Sequence, residues 1–285
     1  MQYSTFAAID IGSYDVILEI FEISKKQGIR SVDKICHRME LGKDTYTLGK
    51  IRPEMEEELC RVLADFVRIM EGYRVDAYRA MASSAISEAA NSLYVLGKIR
   101  QLTGLSVTVL SNSEQRFLGY KALAAMEDNF NKIIEKGTAI LDLDGGSFQI
   151  SLFDKDALVT TQNIRMGSLR IRERLAGIQS ETEHYEEMVE ELIWNEVSSF
   201  KKMYLKDRKI ENIMLIGDVF TDSVYQNIEE KTTKIISREN FNTWYEKIIR
   251  QSPMELAVKL GIPLENASLM YPSAVIYKCL IDMMG

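Results

Sequence analysis

Residues Thr138 to Phe153 run T-A-I-L-D-L-D-G-G-S-F-Q-I-S-L-F. An apolar run from Ala139 to Leu141 meets Asp142, then Gly145, Gly146 and Ser147, after which Ile150, Leu152 and Phe153 resume a strand-like pattern. The segment reads as strand, tight turn, strand. A glycine pair lets the backbone turn sharply and brings its N–H groups close to an anion, while a carboxylate at a strand end suits a metal or a metal-bound water. Phosphate chemistry uses that combination. Thr5 to Phe21, T-F-A-A-I-D-I-G-S-Y-D-V-I-L-E-I-F, repeats the design with Asp10, Gly12 and Ser13. One reading is a pair of similar half-domains facing each other across a cleft. The other is two ordinary hairpins that share a turn type.

With 285 residues the chain exceeds the usual single domain, so two domains are expected. Apolar residues make up 46% and charged residues 27%, a globular balance able to bury a large core. A net charge of −7 argues against broad electrostatic binding to nucleic acid or an anionic membrane, so a polyanionic substrate needs local donors or a cation. Cys36, Cys60 and Cys279 form neither a zinc spacing nor a disulfide framework, which points to a reducing cytoplasm. No signal peptide and no membrane span is expected.

In chain order, Gly28 to Leu41 extends the first hairpin into a three-strand meander. After Pro53, the residues Met55, Leu59, Val62, Leu63, Phe66, Val67 and Met70 recur at helical spacing. Val75 to Ala82 reads as a strand, Ala85 to Gln101 as mostly helix, Val107 to Leu110 as a short strand, and the residues after Ser111 as a helix. The first half therefore spans 1–128 and the second 129–285, starting again at Ala139. In the second half Leu158 to Ile164 is a strand, S-E-T-E at Ser180 to Glu183 caps a long helix, and Ile213 to Gly217 is a strand. Helices follow Ser237 and Ser252-Pro253. A last apolar helix, about 272–284, is expected to pack back toward the first half.

Laid out this way, the sequence resembles the exopolyphosphatase and guanosine pentaphosphate phosphohydrolase family of the actin, hexokinase and Hsp70 superfamily. The motifs that carry the likeness stand in family order: D-I-G-S at Asp10, M-E-L-G at Met39, A-S-S-A-I-S-E-A-A-N at Ala82, L-S-N-S-E-Q at Leu110, L-D-L-D-G-G-S at Leu141 and M-G-S-L-R at Met166. The resemblance implies an α/β fold of two ribonuclease-H-like (actin-type ATPase) halves around a central cleft. It further implies release of terminal phosphate from polyphosphate or guanosine pentaphosphate, with Mg²⁺ or Mn²⁺ as cofactor. Glu114 matches the catalytic glutamate that orients or deprotonates the attacking water. Asp10 and Asp142 match the carboxylates of the phosphate turns, while Gly12, Ser13, Gly145, Gly146 and Ser147 match the cradling turns, and Gly167 and Arg170 a G-x-x-R segment whose arginine is expected to bind phosphate. A homodimer is a further expectation, as is the absence of the extra C-terminal domain of longer members.

The departures fall at the same places. Tyr14, Asp15 and Ile17 replace an asparagine, a hydroxyl residue and an arginine, and Ser87 replaces a second arginine. Asp144 stands for a glycine, Phe148 for a threonine, Gln149 for an acid and Phe220 for a glycine expected beside the cleft. Two arginines lost, two carboxylates gained and one neutralised change the local charge by −3. At about 4–6 Å and an effective dielectric near 20, each such charge is worth a few kcal/mol. Asp15 and Asp144 are therefore read, with Asp10 and Asp142, as metal ligands that offset the deficit, against the plainer reading of both as turn caps. Without the family, Glu114 is a helix-capping residue. His37 and His184 are structural or solvated, and Glu56 to Glu58 form a solvated helix face. The expected function is a phosphoanhydride hydrolase acting on a phosphate-containing small molecule or polyphosphate. Its rival is a binding or regulatory protein of the same fold that has lost turnover.

Overall fold

A computed structural model describes residues 3–126, 130–176, 185–206, 208–217, 220 and 237–285. The chain divides into two compact units, Met1–Gly119 and Tyr120–Gly285. The first contains strands β1 (Ser4–Ile11), β2 (Asp15–Ser24), β3 (Gly28–Arg38), β4 (Ala77–Ala82) and β5 (Val107–Val109), ordered β3-β2-β1-β4-β5. The first three strands pair antiparallel, and β4 and β5 run parallel to β1. Its helices are α1 (Leu41–Leu48), α2 (Pro53–Gly72), α3 (Ser84–Ser87), α4 (Ser92–Thr103) and the start of α5 (Asn112–Met126).

The second unit holds α6 (Phe130–Ile134), β6 (Thr138–Leu143), β7 (Phe148–Asp154), β8 (Ala157–Ile164), α7 (Ser168–Leu175), α8 (Tyr185–Phe200) with a π-helical extension Lys201–Leu205, and β9 (Asn212–Gly217). Helices α9 (Arg238–Ile249), α10 (Pro253–Leu260) and α11 (Leu264–Met284) close it. Its sheet order, β8-β7-β6-β9, repeats the first: an antiparallel meander followed by a strand parallel to its first member. Both are ribonuclease-H-like arrangements. The expected boundary residue, Asp128, lies outside the described residues, as do S-E-T-E at 180–183 and His184.

Burial explains why the two repeats read differently. In β1 only alternate residues, Ala7, Ile9 and Ile11, are fully buried beneath α2 and α4. In β6 Ala139, Leu141 and Leu143 enter the main core, while Ile140 enters a second cluster with Phe130, Ile134 and Phe153, joined by Tyr120 and Leu123 of α5. Covered on both faces, β6 is a continuous apolar run.

Four sequence expectations are corrected. The strand expected to reach Leu41 stops at Arg38, and α1 follows; it ends on Gly49, whose φ of 72° lets its N–H bond Thr45 O at 3.0 Å. The helix expected over 85–101 breaks between Ser87 and Ser92. The last helix begins at Leu264, with Pro272 in its interior, because its nearly all-round burial outweighs the missing N–H. Glu56 is not solvated: it is 2% exposed and ion-paired to Lys98 at 3.0 Å. His37 is half-exposed and meets Glu58 at 3.3 Å.

Candidate functional site

In the second unit the β6–β7 turn is built by residues that are distant in sequence. Asp144 N–H bonds Ser147 O at 2.9 Å, closing the turn. The N-terminus of α7 then takes the turn's carbonyl oxygens: Ser168 N–H donates to Asp144 O at 3.2 Å and Arg170 N–H to Gly145 O at 3.0 Å. Arg170 Nε donates to Gly146 O at 2.9 Å, and Asn163 Nδ2 holds Ser147 Oγ at 3.2 Å. Gly167 is in direct contact with the turn, since a Cβ there would lie 2.2 Å from Asp144 O and 2.4 Å from Ser147 N. Gly167→Ala is therefore expected to cost about 1–3 kcal/mol of stability and to displace the turn, measurable by urea unfolding and by the amide shifts of Gly145 and Gly146.

The carboxylates differ sharply. Asp144 turns back on its own loop, its Oδ1 accepting Gly145 N–H at 2.6 Å. Asp142 is half-buried at the strand end, and burial, followed by repulsion from Asp144, pushes its carboxyl up to about 6. A proton or a cation relieves that cost. Among the described residues no three Asp, Glu, His or Cys side chains gather to hold a metal ion. A magnesium-type ion fits this donor set nonetheless, because Mg²⁺ takes one or two carboxylates and fills its shell with water and phosphate oxygens. Asp142 and Asp144 are the pair that would hold it.

The first unit repeats the construction. Gly12 N–H bonds Asp15 O at 2.9 Å, and the short helix after the third strand, α1, again lies on the turn, with Gly42 N–H on Ser13 O at 2.8 Å. Ser13 is buried, its Oγ 2.6 Å from Tyr46 Oη and 3.3 Å from Ser84 Oγ, with Tyr46 and Ser84 2.9 Å apart. Asp10 is exposed at the end of β1.

Asp15, expected as a metal ligand, has other partners. Cys36 Sγ lies 3.5 Å from its Oδ2, and it pairs across the sheet with Arg38. Burial raises its carboxyl, while the Cys36 hydrogen bond, Arg38 and Lys34 act in the other direction. Arg38, which also lies 6.0 Å over the Tyr14 ring, restores a cation beside a turn whose sequence had lost its arginine. Only strand pairing shows this; position 38 stands one residue before M-E-L-G. Phe220, expected beside a cleft, is instead fully buried, stacked on Tyr277 at 5.5 Å and edge-on to Phe241 at 6.1 Å.

Glu114 is exposed in the first turn of α5. Its Oε2 accepts Ser111 N–H at 2.9 Å and Ser111 Oγ–H at 2.7 Å, while Glu114 N–H bonds Ser111 Oγ at 3.3 Å, a reciprocal capping box. Those two donors hold its carboxyl below the usual range. Within the first unit Glu114 shares one edge of the sheet with the Asp10 turn: Ser83 N–H bonds Ile11 O, and Leu110 N–H bonds Ala82 O, both at 3.1 Å. These are the carboxyl ends of the parallel strands, where ligands of open α/β sheets bind.

The sequence profile of the Ppx/GppA phosphatase family matches residues 19–285. The chain belongs to that family. The bifunctional 3-dehydroquinate synthase/phosphatase of Fusobacterium nucleatum is 22% identical over 79% of this chain and 34% of its own length. Exopolyphosphatase 1 of Mycobacterium leprae is 26% identical over 50% of this chain and 41% of its own. The chain thus spans less than half the length of these curated relatives. An exopolyphosphatase structure from Cytophaga hutchinsonii superposes with a TM-score of 0.84 at 17% identity, covering 99% of this chain and 91% of that one. The Ppx/GppA protein of Aquifex aeolicus gives 0.75 at 19%, covering 99% and 91%. These superpositions establish a Ppx/GppA fold.

Proposed function

We propose that this Ppx/GppA chain is a phosphoanhydride hydrolase that releases terminal phosphate from polyphosphate or a guanosine polyphosphate, with a divalent cation and with the Asp10 and Asp142 turns as its phosphate-binding elements. The observation that carries the reading is the pair of matched turns, each holding an aspartate at a strand end and each backed by a short helix with at least one amide on a carbonyl oxygen of the turn. Phosphoryl transfer asks little covalent work of a protein; it needs a positioned water and neutralised oxygens.

In this reading Gly145, Gly146 and Ser147 in one turn, with Ser13 in the other, present backbone donors to phosphate oxygens, while Gly12, expected among them, gives its N–H to Asp15 O. Asp142 and Asp144 would hold the cation, which would supply neutralisation of phosphate charge, and Asp10 is the matching carboxylate of the other turn. Glu114, ionised at neutral pH, orients the attacking water and accepts its proton as the bond to phosphorus forms. The test is phosphate release from polyphosphates of graded length and from guanosine polyphosphates, with Mg²⁺ or Mn²⁺ and with chelator. Release that requires the cation is the expected result. Binding without release from any member would instead favour a regulatory protein, a reading consistent with the Asp144 carboxylate occupying Gly145 N–H.

Asp144→Gly separates the two effects of that carboxylate. If Asp144 serves the cation, the variant needs at least about tenfold more Mg²⁺ for half-maximal binding of tripolyphosphate, the loss expected of one charged ligand. Tighter binding that ignores Mg²⁺, seen by calorimetry, would mean that Asp144 is only a competing anion.

A further inference from the structure

We infer that Arg170 is a positioning residue: it shapes the amide cradle of the Asp144–Ser147 turn from behind, in place of the direct phosphate contact that the family motif led us to expect. Three successive carbonyls of the turn are captured from the α7 side, Asp144 O by Ser168 N–H at 3.2 Å, Gly145 O by Arg170 N–H at 3.0 Å and Gly146 O by Arg170 Nε at 2.9 Å. In a planar trans peptide the carbonyl of one residue and the N–H of the next point in opposite directions. Holding these three oxygens toward α7 therefore turns the N–H groups of Gly145, Gly146 and Ser147 away from it, to one side, as an anion nest.

One of those amides already meets an anion, the Asp144 carboxylate at 2.6 Å from Gly145 N. Arg170 supplies two of the three captures, one from its backbone and one from its half-buried guanidinium. The side-chain bond spans 24 residues and fixes the last of the three carbonyls. The Arg170 charge thus acts on a phosphate through the turn. Gly167 makes this approach possible, because any Cβ there would strike the Asp144 and Gly145 backbone.

The inference rests on the proposed phosphate-binding role of the turn, and its test separates the two. Arg170→Met removes the guanidinium and Arg170→Lys keeps the charge but loses the planar Nε donor; the backbone N–H of residue 170 remains in both. Amide chemical shifts of Gly146 and Ser147 are measured in the ligand-free protein. Magnesium tripolyphosphate binding is measured by calorimetry. Both amide resonances are expected to move in both variants as the Gly146 carbonyl is released, with tripolyphosphate affinity falling by about tenfold or more in both alike, the loss of one charged hydrogen bond. Two results would overturn the inference: unchanged Gly146 and Ser147 shifts in both variants, or a lysine variant that binds like wild type while the methionine variant does not, which is the signature of a direct phosphate contact. If wild type binds no phosphate compound at all, the functional proposal fails, and the shift measurement alone still decides the role of Arg170.

Discussion

Phosphate release by the Glu114→Gln protein is expected to fall by about 10²- to 10⁴-fold, the usual range for a lost general base, with a melting temperature close to that of wild type. Both halves of the expectation come from the capping box. Glu114 accepts two hydrogen bonds from Ser111, and glutamine at this helix position can still reach back to the Ser111 amide, so the helix start survives the substitution. What is lost is a carboxylate that those donors keep ionised well below neutral pH. An ionised, weakly basic group suits the orientation of water better than early proton abstraction, so its titration should not set the acid limb of the rate profile. Ser111→Ala divides the roles from the other side. It removes a capping hydroxyl and keeps the carboxylate, so it should lower the melting temperature and leave most of the phosphate release. Equal rates for Glu114→Gln and wild type would leave Glu114 as a cap alone.

Asp142→Asn is expected to make the protein more stable and to cripple it. The Asp142 carboxyl titrates near 6 in the folded chain against an ordinary 3.8. The folded state therefore binds this proton more tightly than the unfolded state. The resulting stabilisation is fully present below about pH 3.8 and is lost as pH rises through 6. Above that range the ionised, half-buried carboxylate is a standing cost on the order of 2 kcal/mol, allowing for its partial exposure. Asparagine keeps the shape and removes the charge. Urea unfolding at pH 8 should show the variant ahead by about that amount, with its advantage shrinking as pH falls from 6 toward 4. Added Mg²⁺ should stabilise wild type at pH 8 and do little for the variant, because a cation relieves the same repulsion. Phosphate release should drop by about 10²- to 10³-fold, as for a lost electrostatic stabiliser. A variant less stable than wild type at pH 8 would mean that the carboxylate has a stabilising partner in the folded state.

Much of the architecture was written locally. The apolar run before Asp10, the buried run at Ala139 to Leu141, Pro53 at the start of α2 and the helix start at Ser252-Pro253 are signals carried by neighbouring residues, and each appears in the structure. The repeated Asp-bearing turns were legible for the same reason, because glycine and aspartate at a strand end are statements about a few consecutive peptides. Where sequence reasoning failed, a local signal was overruled by burial. Pro272 looked like a helix start and lies inside α11, and Glu56 looked like surface and is a buried ion pair with Lys98.

The sequence by itself determined the family, the two-sheet fold and the positions of Asp10, Glu114, Asp142 and the glycine turn, since motif order and strand periodicity survive without knowledge of any contact. Only the tertiary structure decided which partners surround the two turns. Asp15 is drawn to Cys36 and Arg38 by strand register, Ser13 is enclosed with Tyr46 and Ser84, and Phe220 is absorbed by the core. Most of all, Gly42 of α1 and Ser168 and Arg170 of α7 place their amides on carbonyls of the two turns, and the Arg170 side chain reaches back 24 residues to Gly146. A hydrogen bond closed by chain folding over such a separation leaves no periodicity in the sequence, because the donor and acceptor are matched in space and not along the chain.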